Sequence, residues 1–229
     1  MKFRSIFHKS ILVLDKQLSP TFCDHLIKKF EADQRKTAGV TGGGFMNTVK
    51  QSTDLMLSFG EAADDWKYED AEISMALKNA IIKYDNHCEK HFPGMREQNQ
   101  NIFDIGHQMQ RTHPGGFYNW HNDACDSRSL TYIFYINDVN GGDGYTEFCD
   151  GTRVYPKAGR MCIFPATWQY QHRGVAPKKD LKYIVTGWLY TPLTGDEKVM
   201  EFSNIGPKEA HQHHEEHGNL EDQQPTEIH

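Results

Sequence analysis

Residues 113–123 read HPGGFYNWHND. The stretch closes on His121-Asn122-Asp123, an imidazole and a carboxylate two positions apart. In extended backbone, positions two apart project to the same side, so a strand here aims two ligand groups at one point. Downstream of it the chain reads as one short strand after another. RSLTYIFYIND (128–138), VYPKAGRMCIFP (154–165) and KYIVTGWLY (182–190) are rich in β-branched and aromatic residues, and Gly, Asp, Asn and Pro cut them apart. From about residue 101 the expected strands are Phe103–Arg111, Leu130–Ile136, Tyr145–Phe148, Thr152–Tyr155, Met161–Phe164, Trp168–Arg173 and Lys182–Tyr190. Many short strands joined by tight turns make a sandwich, jelly roll or barrel.

Upstream the spacing turns helical. Ser19-Pro20 is a helix start, because Ser caps free amides and Pro at the first position lacks an N–H that would be orphaned anyway. Phe22, Leu26, Ile27 and Phe30 then share one face through about Asp33. A second helix is expected after Asp70, where Ile73, Leu77, Ile81, Tyr84 and Cys88 repeat at three to four before Pro93-Gly94. Gly42-Gly43-Gly44 marks a loop, and a strand is expected within 47–58. The Gly-rich stretch 39–48 and the charged stretch 64–69 read as mobile loops, since neither carries apolar periodicity.

Composition bounds the function. The 229 residues carry a net charge of −6, which argues against holding duplex nucleic acid by phosphate neutralisation. Mean hydropathy is −0.70, and the polar excess lies in the segment from Pro207, which has no aromatic residue and reads as a disordered, His-rich tail. No run is long enough to cross a bilayer, and His8, Lys9 and Ser10 interrupt the apolar start, so neither membrane span nor signal peptide is expected. Five scattered cysteines without a CxxC pair fit a reducing, cytoplasmic setting.

One more histidine would complete a two-histidine, one-carboxylate face, a donor set that suits non-heme Fe(II) and leaves positions open for co-substrate and dioxygen. His172 is the candidate, since it follows the strand-like RMCIFPATWQYQ. Ten residues on, Lys182 opens KYIVTGWLY with Thr186 on the same strand face, and together a cation and a hydroxyl hold a carboxylate. His107 and His113 read as polar residues on a β surface, and Cys125 as an ordinary buried thiol. The tail histidines His211, His213, His214 and His217 lie in a segment with no apolar face, and His214 and His217 are three apart where a helical pair needs four.

Taken together, HxD at 121–123, RSLTYIFYIND, Gly141-Gly142, VYPKAGRMCIFP, His172 and KYIVTGWLY resemble the Fe(II)- and 2-oxoglutarate-dependent dioxygenases of the prolyl 4-hydroxylase-like branch, over residues 101–192. The resemblance implies a mainly β fold with N-terminal helices, the double-stranded β-helix or jelly roll. It makes residues 1–206 a single dioxygenase domain, with helical support at about 15–95 and the jelly-roll core at about 101–192. His121, Asp123 and His172 would bind iron. Lys182 would pair with the far carboxylate of 2-oxoglutarate, with Thr186 and Tyr135 donating hydrogen bonds to it, and Arg128 and Trp188 would contact substrate.

Two departures stand out: Lys182 occupies a position where the oxygen-sensing animal enzymes carry Arg, and His113 replaces a Tyr that some relatives place before the Pro-Gly turn. The activity implied is hydroxylation of a C–H bond with Fe(II), 2-oxoglutarate and dioxygen, most simply on a prolyl residue of a peptide or protein partner. A small-molecule hydroxylase of the same class and a non-catalytic metal-binding jelly-roll module are the alternatives. Sequence alone leaves the oligomeric state open.

Overall fold

Alternation of apolar residues organises the β-rich part into two antiparallel sheets. The computed structural model describes residues 9–42, 44–93, 102–125 and 127–191, all within the compact unit Met1–Thr194. The expected domain end at 206 and the tail from Pro207 lie outside the described residues. The strands are β1 (Leu12–Leu14), β2 (Thr37–Ala38), β3 (Thr53–Met56), β4 (Phe103–Asp104), β5 (Gln108–Thr112), β6 (Tyr118–His121) and β7 (Arg128–Tyr135). They continue with β8 (Thr146–Phe148), β9 (Arg153–Val154), β10 (Arg160–Pro165), β11 (His172–Gly174) and β12 (Lys182–Tyr190). The larger sheet runs β1-β10-β7-β12-β5-β3-β2, with β4 also on β12, and the smaller runs β6-β11-β8-β9.

Ile133 and Tyr135 of β7 and Cys162 and Phe164 of β10 pack against Phe148 and Val154 of the smaller sheet, so the two sheets enclose one core. This is the expected jelly roll. The other face of the larger sheet, through Phe134, Met161, Tyr183, Val185 and Leu189, packs on two helices. β12 is central, paired with β7 and β5, and its residues split between the two cores: Tyr183, Val185 and Leu189 point to the helices while Ile184 points between the sheets.

Helix α1 (Pro20–Ala32) begins as read, with Ser19 Oγ accepting from Phe22 N at 3.1 Å, and buries Cys23, Leu26 and Phe30. Helix α2 (Ala63–His91) starts seven residues before Asp70 and absorbs the expected loop 64–69. That stretch looks like a loop because its charges face outward, yet Trp66 is fully buried and Glu69 is buried against His25 Nε2 and Lys29 Nζ of α1, each at 2.6 Å. Asp64 and Asp65 in the first turn suit the positive end of the helix dipole.

Three strand expectations also change. Phe103–Arg111 is broken into β4 and β5 at Gly106, whose φ of 122° only glycine adopts readily. Trp168–Arg173 is a 3-10 turn at Trp168–Tyr170 followed by β11. The strand expected within 47–58 is confined to β3.

Candidate functional site

β6 and β11 pair with His121 directly opposite His172. This register is what joins two candidate ligands distant in sequence. Asp123 does not share a strand with His121, contrary to the expectation from spacing, because β6 ends at His121 and the carboxylate comes from the turn beyond it. The outcome is the same convergence: one donor atom from each of His121, Asp123 and His172 lies within 4.8 Å of the others. Asp123 Oδ1 is 3.9 Å from His121 Nε2, and Oδ2 is 3.6 Å from His172 Nε2.

Each imidazole is held by its other nitrogen. His121 Nδ1 donates to the carbonyl of Asn119 at 2.8 Å and His172 Nδ1 to that of Tyr170 at 3.0 Å, so both Nε2 atoms are left as acceptors toward the centre. Tyr118 stacks on His121 at 3.5 Å between ring centroids and 14° between planes, while Phe164 and Phe148 flank His172. Burial and the neighbouring His172 push the His121 pKa down to about 4, which keeps it in the neutral, ligating form. Burial works to raise the pKa of Asp123, but the facing His172 and His121 and a hydrogen bond from Thr131 Oγ1 at 2.8 Å outweigh it and leave it lowered. Two imidazole nitrogens and one carboxylate on one side of a point fit Fe(II).

On β12 of the larger sheet, on the same strand face as Ile184, Lys182 is 5 % exposed, and among the described residues it has no carboxylate or hydrogen-bond partner. Burial alone pushes its pKa down to about 8. Its Nζ lies 5.9 Å from the centroid of the Tyr135 ring. An unpaired ammonium inside a core is expensive unless an anion joins it, so the wall fits a carboxylate ligand. The two hydroxyls assigned to the same ligand have partners of their own: Thr186 Oγ1 donates to the carbonyl of Tyr132 at 2.8 Å, and Tyr135 Oη to Thr146 Oγ1 at 2.7 Å. Thr186, having spent its proton, offers the interior a lone pair only.

Arg128 lies with its guanidinium carbon 3.8 Å from the centroid of Trp188 and donates from Nε to Tyr190 Oη at 3.2 Å. Trp188 faces Thr131 across the β7–β12 ladder, which sets it next to the support of Asp123. Its Nε1 is buried without a partner among the described residues. A small, mainly apolar hollow of about 60 Å³ lies beside it, between Met56, Phe59, Ile105, Gln108 and Thr186.

Sequence reading missed several residues around this site. Thr131 was legible, since it alternates with Ile133 and Tyr135 on the inner face. Tyr118 and the buried pair Lys50–Asp54 behind it gave no signal. His107 is fully buried rather than on a β surface, with Nδ1 2.6 Å from Tyr132 Oη and Nε2 2.9 Å from Ser74 Oγ. Cys125 is only half-buried.

Residues 107–190 match the model of the 2OG-Fe(II) oxygenase superfamily. No curated protein matches the chain. Among solved structures, a Pseudomonas putida prolyl-4-hydroxylase is 17% identical with a TM-score of 0.58, over 80% of this chain and 93% of that one. The viral collagen prolyl hydroxylase of Paramecium Bursaria Chlorella virus-1, solved as a 2OG complex, is 20% identical with a TM-score of 0.54, over 80% and 97%. A Trichoplax adhaerens prolyl hydroxylase, bound to a peptide fragment of the hypoxia inducible factor oxygen degradation domain, is 14% identical with a TM-score of 0.61, over 80% and 84%. At these identities the structural likeness establishes the jelly-roll fold.

Proposed function

We propose that this chain, whose residues 107–190 match the model of the 2OG-Fe(II) oxygenase superfamily, is an oxygenase of that kind and hydroxylates a prolyl residue in an extended peptide or protein segment. His121, Asp123 and His172 hold the metal, and Lys182 anchors the distal carboxylate of 2-oxoglutarate. The observation that carries this reading is the pairing of a convergent His-Asp-His face on the smaller sheet with a buried cation that lacks an anion on the inner face of the larger sheet. With 2-oxoglutarate and dioxygen, Fe(II) supplies the oxidant that turns an unactivated C–H into C–OH, releasing succinate and carbon dioxide.

The chain's own part is geometry. The backbone carbonyls of Asn119 and Tyr170 fix both imidazoles, and Thr131 fixes the carboxylate. Phe148 and Phe164 keep water from one side of His172. No side chain has to act as acid or base.

Support for a peptide comes from the substrate side. The indole N–H of Trp188, unpartnered among the described residues, can donate to an amide carbonyl, and the Arg128 guanidinium can serve further carbonyls along an extended chain. The adjoining hollow suits a small apolar ring. The Trichoplax adhaerens neighbour binds a peptide.

The test is a panel of proline-containing peptides and small amides, incubated with Fe(II), 2-oxoglutarate and air, with succinate measured and products examined by mass spectrometry. A peptide that gains one oxygen on proline in step with succinate supports the reading. Succinate release driven only by a free small molecule, itself hydroxylated, replaces the peptide with a metabolite.

A further inference from the structure

β6 carries the metal ligand His121 and is an edge strand of the smaller sheet, with β11 on one side only. Its free side is closed by an irregular strap. Gln51 N donates to the carbonyl of Phe117 and Asn119 N to that of Val49, both at 2.8 Å, with Lys50 bridged to Tyr118. The strap runs directly into β3 of the larger sheet, so it ties the ligand strand to the opposite wall.

Within it lies a charge pair that is hard to explain by stability. Lys50 and Asp54 are 4 % and 3 % exposed, and Lys50 Nζ is 2.6 Å from Asp54 Oδ2. Ser52 Oγ donates to Asp54 Oδ1 at 2.7 Å. Taking both charges out of water costs about as much as their attraction returns, and an apolar pair of the same size generally stabilises as well or better. What the pair does provide is direction. Lys50 Nζ sits 5.5 Å from the centroid of the Tyr118 ring, within cation–π range, and that ring lies flat on His121.

We infer that Lys50 and Asp54 are positioning residues for His121: the ion pair fixes the Lys50 ammonium, the ammonium holds the Tyr118 ring, and the ring sets the tilt of the imidazole. The Nδ1 bond to Asn119 restrains His121 in the ring plane, and the stacked phenol restrains it out of plane. His121 needs this more than His172 does, because its side chain is 15 % exposed against 5 % and two phenylalanines already pack His172. This inference rests on the metal reading of His121, Asp123 and His172.

The experiment uses Co(II) alone as the probe, followed by titration and by its visible d–d absorption, with the full chain. Lys50→Met/Asp54→Asn removes both charges and strands neither. It should melt no lower than wild type yet bind Co(II) about tenfold more weakly, with altered d–d bands. Tyr118→Phe should retain wild-type affinity and bands, and Tyr118→Leu should lose both. Should the double variant fail to fold, the Tyr118 pair decides alone: weaker binding in Leu than in Phe upholds the inference, and equal binding overturns it. Unchanged affinity and bands in the folded double variant also overturn it. A wild-type protein that binds no Co(II) instead removes the metal reading itself.

Discussion

Thr131 and Lys182 illustrate how much of the site depends on one proton each. Thr131 Oγ1 spends its proton on Asp123 Oδ2, which holds the carboxylate in one orientation between the two imidazoles. Thr131→Val keeps the shape and removes that bond, and it should weaken Mn(II) affinity by about tenfold, read by titration of the metal alone. Lys182 is the proposed anion anchor. Lys182→Ala should weaken 2-oxoglutarate binding by roughly a hundredfold, equivalent to about 3 kcal/mol.

The same lysine gives a pH signature. Its pKa is about 8 in the folded chain against an ordinary 10.5, so between those values the unfolded chain holds a proton that the folded chain has released. Stability of the protein without co-substrate should therefore rise with pH across that window, while 2-oxoglutarate affinity should fall above about pH 8, because the ligand needs the ammonium. Calorimetric titration at pH 7 and pH 9.5 checks this: wild type should lose affinity and take up a proton on binding, and Lys182→Ala should be weak and flat. These two residues differ in legibility from His107. Lys182 stands out by its place at the head of an apolar strand, whereas nothing local marks a histidine that will be buried by a helix thirty residues away.

At the scale of elements, β12 is both the best-read segment and the most constrained. Its bounds Lys182–Tyr190 are those read from composition, since a strand buried on both faces shows as a continuous apolar and aromatic run. Gly187 is its weak point for substitution: a methyl there would collide with the Tyr132 hydroxyl and crowd the Gly106 carbonyl. Gly187→Ala should cost about 1–3 kcal/mol and lower Tm by several degrees in a thermal melt. An unchanged Tm would mean that Tyr132 moves aside without penalty. The start of α2 was not legible, because its first turns bury only Trp66 and Glu69 among outward charges and so show no clean period. β6 was read as longer than it is, since the sequence does not reveal that the chain turns after His121 and brings Asp123 in from a loop.

Among the described residues, two cores share the larger sheet, one against the helices and one against the smaller sheet, and the His-Asp-His face sits at the paired β6 and β11. The jelly roll and its helical support were legible because the shift from helical spacing to short punctuated strands is large. The order in which strands pair was not, since β7 lies between β10 and β12 only through contacts distant in sequence. Every buried hydrophobic residue of the described chain lies between Ile11 and Leu189. Residues 207–229 carry no aromatic and few aliphatic side chains, so their removal should leave Tm and turnover unchanged. Among the described residues no helix is long and apolar enough to cross a membrane.

The most direct test of the central claim mixes the protein with Fe(II), 2-oxoglutarate and the peptide panel under anaerobic conditions, then admits air and quantifies succinate. Succinate should require Fe(II) and oxygen in wild type and vanish in Asp123→Ala and His172→Ala proteins that remain folded. Succinate formation that survives either substitution would contradict that claim.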